Sequence, residues 1–288
     1  MEKKESKTEK PTALLVAGFA AGTVVTGLLN PVDRALFLSV SNRSPFLDAQ
    51  NWRQPFQGLG QSIVSRAIST GLWFPLERLA LQSLQQQPDV VPPAVAALVA
   101  GQAAGAANAL LLSPLAFVKY QTWGRPDGKR GFASTSRKIY FTAGVGAFFR
   151  GLPATVLRDM IFGGCFGSLR TTLRSQAESR NAPKSSEGAL QTFAADFVAA
   201  AAATALSSPI NYARNLQFGT KLTDAVPSTA AAVQGLADEA ASQPTTLGRV
   251  NVLLQRTNIG WGTLRVAGGM ALTARIFAGF VGLVSYAT

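Results

Sequence analysis

Three fifteen-residue segments of this chain align without a gap, and each ends on a proline: AGFAAGTVVTGLLNP (17–31), AGQAAGAANALLLSP (100–114) and ADFVAAAAATALSSP (195–209). Repetition on this scale means one structural unit written three times. Small residues stand four apart at Gly18 and Gly22, at Gly101 and Gly105, and less strictly at Asp196 and Ala200, a spacing that collects them on one helix face. A soluble helix would put leucine on its packing face. Glycine and alanine there, inside long apolar runs, are what helices use to approach closely in lipid, where apolar side chains gain little by leaving the solvent.

Downstream of each proline come a polar, basic stretch and a second apolar segment, entered through glycine and carrying one arginine. Gly58 and Arg66 are eight apart in FQGLGQSIVSR, Gly151 and Arg158 seven apart in GLPATVLR, and Gly268 and Arg275 seven apart in GGMALTAR. Two apolar segments per unit predict six helices, at about 12–40, 60–82, 94–121, 152–174, 189–217 and 266–286. Each is long enough to cross a hydrocarbon core of ~30 Å. The fold class expected is an all-α membrane protein of six transmembrane helices in three tandem two-helix repeats, with pseudo-threefold symmetry. The organisation expected is a charged tail over 1–11, repeats over 12–90, 91–186 and 187–288, and an insertion at about 220–248 in the third.

Composition agrees with lipid: 47% of residues are hydrophobic and only 15% charged, a thin polar coat for a soluble chain of 288 residues. The 27 Lys and Arg against 15 Asp and Glu call for a polyanionic neighbour. The bases gather in loops beside apolar spans, as at Lys119, Arg125, Lys129, Arg130, Arg137 and Lys138, and not on a soluble face; this argues for anionic lipid and against nucleic acid. The loop between the second and third helices holds only Asp89, so the positive-inside rule puts the long loops on one side and both termini on the other. With no histidine and one cysteine, Cys165 in the apolar IFGGCFG, imidazole catalysis, disulfides and thiolate or imidazole zinc sites have no material. No enzyme activity and no metal is expected. The opening MEKKESKTEK is unlike a secretory signal or an Arg-rich presequence, so targeting is expected to be internal.

Three repeats of an apolar helix ending in proline, a polar loop with a short amphipathic helix, and a second apolar helix resemble the mitochondrial carrier family over nearly the whole chain. In that family a Pro-x-acid-x-x-base signature forms a salt-bridge ring that closes the matrix side. The corresponding strings here are PVDRAL (31–36), PLAFVK (114–119) and PINYAR (209–214). The acid survives as Asp33 but is Ala116 and Asn211 in the other copies; the base survives as Lys119 and Arg214 but is Leu36 in the first. The resemblance therefore implies a matrix gate of Asp33, Lys119 and Arg214, with Asp33 to Lys119 the one bridge still available. The glutamines that brace such bridges are replaced by Val40, Trp123 and Phe218. No network is legible at the opposite end: Arg170 stands where an acid is expected, and Glu77 and Arg78 are out of register.

The resemblance also implies substrate contacts at Arg66 and Arg275, with Pro153 and Ala154 at the remaining contact position and Arg158 beside them. Guanidiniums facing a water-filled interior suit a carboxylate or phosphate. The competing expectation is that they bond backbone freed by the prolines, or pair with Asp33 or Asp159. Phe149, Arg150 and Gly151, with Gly58 in the first copy, match the element that holds a cardiolipin phosphate at a helix start. The implied function is movement of a small anionic metabolite across the mitochondrial inner membrane by alternating access with weakened gates, both termini toward the intermembrane space. The alternative is a transport-inactive carrier fold serving as an accessory subunit of a respiratory or other inner-membrane complex. No cofactor is expected beyond bound cardiolipin.

Overall fold

The computed structural model describes residues 11–41, 45–56, 58–85, 91–123, 131–179 and 186–287. Gln57, Asp89, Arg125, Asp127, Lys129, Arg130 and the tail over 1–10 lie outside them, as do the side chains of Val40 and Trp123. The described residues form nine α-helices: α1 (Pro11–Ser41), α2 (Leu59–Gln85), α3 (Pro93–Trp123), α4 (Phe132–Ala143), α5 (Leu152–Ser179), α6 (Ser186–Gly219), α7 (Thr229–Ala241), α8 (Thr246–Thr257) and α9 (Trp261–Ala287). The six long helices α1, α2, α3, α5, α6 and α9 pack in chain order, and α9 closes against α1 to complete a ring.

Four of them are long and apolar enough to cross a membrane: Leu14–Leu36, Pro93–Gln121, Leu190–Gly219 and Trp261–Leu283. Sequence reading expects six. The difference lies in α2 and α5, which have the length, at 27 and 28 residues, but carry Arg66, Glu77 and Arg78, and Arg158, Asp159, Arg170, Arg174 and Glu178 respectively. Their charges turn largely toward the interior of the ring, where Glu77 and Asp159 are buried.

The small residues set the spacing. A Cβ added at Gly101 would lie 2.1 Å from the carbonyl oxygen of Gly163, and one at Gly105 would lie 2.2 Å from that of Asp159. Backbone meets backbone along the α3/α5 seam, so no side chain larger than hydrogen fits. Gly18 and Gly22 do the same for α1 against α2, with added Cβ atoms 2.8 Å from Gly71 Cα and from the Arg66 carbonyl oxygen.

Pro31, Pro114 and Pro209 lie inside α1, α3 and α6, each leaving the carbonyl four residues earlier without its helical donor. In α6 that carbonyl is Ala205, and the Ser208 hydroxyl donates to it at 2.7 Å. A neighbouring serine, and not an arginine, covers this freed group. In α1 the residue before the proline, Asn30, donates from Nδ2 to the Pro55 carbonyl at 2.8 Å, tying the helix to the loop that enters α2.

The segment 220–248, opaque in composition, contains α7 and the start of α8. Both open on the residue after a proline: Ser228 Oγ accepts from Ala231 N at 3.1 Å and Thr245 Oγ1 from Gly248 N at 3.1 Å, ordinary N-caps. Arg256 of α8 pairs with Glu239 of α7 at 2.6 Å.

Gly105→Ala is expected to destabilise the protein by ~1–3 kcal/mol or more through overpacking of the α3/α5 seam. Gly27→Ala, with nothing within 4 Å of the added methyl, should be close to neutral. Thermal unfolding in detergent, followed by exposure of the Cys165 thiol to a fluorogenic reagent, separates the two; equal effects would contradict the seam.

Candidate functional site

Inside the ring is a cavity of about 460 Å³, lined by all six long helices and by Thr257 and Asn258 at the end of α8. The volume suits a small metabolite. Its wall carries five cations, Arg66 (α2), Lys119 (α3), Arg158 (α5), Arg214 (α6) and Arg265 (α9), against two carboxylates, Asp33 (α1) and Asp159 (α5). The excess is positive, in a space whose walls are protein and not bulk water.

Pairing inside the cavity is uneven. Asp33 forms a two-pronged ion pair with Arg265, and Arg158 pairs with its neighbour Asp159 at 2.5 Å while lying 5.2 Å over the Phe162 ring. Among the described residues Arg66 has no hydrogen bond and no ion pair. Arg214 Nη2 reaches the Asn215 Oδ1 at 3.4 Å, its guanidinium lies 5.7 Å from the Phe218 ring centroid, and its buried Nε has no acceptor.

Several expected residues fall into place differently. Asp33 is held by Arg265 of the adjacent helix, so its strong pair staples α9 to α1; Lys119 lines the same cavity. Arg275 is exposed and outside the cavity lining. Its expected position rests on the seven-residue spacing from Gly268, but α9 begins at Trp261, just after Gly260 with φ +131°, so Arg275 is about four turns in instead of two. Arg265 is the arginine that α9 turns inward. Pro153 is exposed and Ala154 fully buried, and neither lines the cavity; Thr155, Arg158 and Asp159 represent α5 there.

At the expected lipid element, Phe149 is exposed, and Gly58 and Gly151 enter α2 and α5 with φ +72° and +73°. The left-handed turn needs glycine at both positions. Arg150 donates to the carbonyls of Lys221 and Leu222 at 3.0 and 2.7 Å, bracing the chain that leaves α6.

One end of the cavity is floored by aromatic side chains. Trp73 meets Phe162 edge-on at 6.0 Å, Phe74 stacks on Phe277 at 5.0 Å, and Phe162 stacks on Phe166 at 5.8 Å. One helical turn beyond lies an ionic cluster. Asp196, 0% exposed on α6, accepts from Arg170 Nε at 3.1 Å and from Arg174 at 2.5 and 2.9 Å, while Arg170 reaches Glu77 of α2 at 3.6 Å. Since α3 separates α2 from α5 in the ring, the last contact crosses the interior. Sequence reading finds no network at this end, and the structure corrects it. The available signal was Arg170 and Arg174, one turn apart on one face, together with Asp196, the lone carboxylate in an otherwise small-residue run.

Residues 91–179 match the family model described as mitochondrial carrier protein, and the match supports membership of that family. It spans α3, α4 and α5. No curated protein matches the chain.

Asp196→Asn is expected to cost about 3 kcal/mol or more, because it leaves two arginines facing a neutral amide in a buried site. The unfolding midpoint of the variant in detergent checks this; a midpoint within a degree of the parent would show that the cluster contributes nothing.

Proposed function

We propose, from the mitochondrial carrier family membership that the match over residues 91–179 supports, that this protein moves a small anionic metabolite across the mitochondrial inner membrane by alternating access through the ring. Family members are transporters, and the apolar helices suit a mitochondrial membrane protein. The six long helices then act as six spans, with α2 and α5 tolerated because their charges face inward and not toward lipid. The observation that carries the reading is Arg66: a guanidinium in the cavity wall with no hydrogen bond or ion pair among the described residues, in an interior already rich in positive charge. A carboxylate or phosphate supplies the missing counter-charge in bidentate geometry.

Alternating access needs two closed arrangements of similar free energy. In the state described, the aromatic floor and the Glu77, Arg170, Asp196 and Arg174 cluster seal one end. That end corresponds to the intermembrane-space side in the orientation set by the loop charges, with both termini there. The exposed Phe149 and the glycine-led entries of α2 and α5 offer backbone amides to a cardiolipin phosphate, without the Arg150 guanidinium that already holds backbone carbonyls.

One observation favours the alternative of a transport-inactive accessory subunit. The Asp33 and Arg265 pair joins neighbouring helices and not opposite ones, so it does not lock the far end as a ring of crossing bridges would.

Purified protein in liposomes is expected to exchange labelled anions. Arg66→Ala should reduce the rate at least ~10-fold, since one charge-assisted fork is lost, while Arg275→Ala, outside the cavity, should leave it unchanged. Absence of exchange together with stoichiometric co-migration with a respiratory or other complex would establish the accessory role instead.

A further inference from the structure

Arg214 is the signature base of the third copy, and by the family pattern its acid partner stands at position 116, which is alanine here. Both residues line the cavity. Among the described residues no carboxylate comes within ion-pair distance of Arg214. Its contacts are the long hydrogen bond to Asn215, the face of Phe218 and a buried Nε with no acceptor. An arginine deprived of its gate partner still carries its charge, and a mostly enclosed charge needs a counter-charge.

Asp33 and Asp159 are each paired with another arginine. That leaves, among the described residues, two cavity guanidiniums with no carboxylate at ion-pair distance, Arg66 on α2 and Arg214 on α6. These helices are not neighbours in the ring, so the two charges approach one space from separate walls. A singly charged ligand neutralises one of them and leaves the other exposed to repulsion; a ligand with two anionic groups satisfies both.

We infer that Arg214 is a second anion anchor and not a gate residue, and that the cavity takes a small anion with two negative groups, one held at Arg66 and the other at Arg214. Phe218 keeps the Arg214 guanidinium in place by lying against it. This deepens the proposed function and rests on the cavity being an anion site.

The test uses the purified full chain in detergent and two probes of equal carbon number, succinate with two carboxylates and butyrate with one, each titrated by its shift of the unfolding midpoint at fixed ionic strength. Wild type is expected to bind succinate at least ~10-fold more tightly than butyrate. Arg214→Gln and Arg66→Gln should each remove that preference, because each leaves one guanidinium for two carboxylates. Ala116→Asp places a carboxylate on the cavity wall at the position the family pattern pairs with Arg214, without deleting the arginine, and it should also abolish the preference for succinate. The midpoint of each variant without ligand reports its folding separately. Retention of the preference in both Arg214→Gln and Ala116→Asp would overturn the role of Arg214 and leave the anion site standing. No shift with either probe in wild type would overturn the anion site itself.

Discussion

Positive charge enclosed within a helical ring is the constraint on which the rest of this structure depends. Five cations and two carboxylates line one cavity, and an arginine facing hydrocarbon would cost several kcal/mol. The ring is what keeps them out of lipid. It also explains why α2 and α5, at 27 and 28 residues, are less apolar than the helices that flank them: their charges are the wall of the cavity and its floor. Hydropathy reads a helix as if all its faces met the same solvent, and in a ring they do not.

Such a ring must be tightly built, and glycine supplies the closeness. Where α3 meets α5, the Gly101 and Gly163 backbones leave room for no side chain, which brings Arg158 and Asp159 of α5 beside the cavity face of α3. The two ends of the ring are then secured by different means. Asp33 and Arg265 join adjacent helices α1 and α9, whereas Glu77 and Arg170 meet across the interior above stacked aromatic rings. An ion pair between neighbours stiffens the wall; one between non-neighbours narrows the passage.

Much of this was legible in the sequence. The helices emerge from the repeated phrase and its prolines, and the four-residue spacing of Gly101 and Gly105 marks the face that meets α5. Local signals of this kind need only the chain itself. The site was less legible because its partners come from separate helices. Arg275 follows Gly268 at the same interval as Arg158 follows Gly151, yet the entry to α9 is set by the positive φ of Gly260, eight residues earlier, and the register moves with it to favour Arg265. Asp196 reads as an irregularity in a small-residue face until Arg170 and Arg174 are seen against it. Pro227-Ser228 and Pro244-Thr245 were readable as helix starts, but the Ser, Thr and Ala content around them obscured α7 and α8.

If the interior of the ring is a positively charged, water-filled space, a thiol placed on its wall reports that charge. Ser65 lines the cavity beside Arg66. With Cys165 replaced by serine and Ser65 by cysteine, the modification rates by an anionic and a cationic thiosulfonate, each normalised to its rate with a free thiol, report the local potential. The account predicts a preference for the anionic reagent of ~10-fold or more, declining as salt is raised. Equal normalised rates, or a preference for the cation, would contradict it.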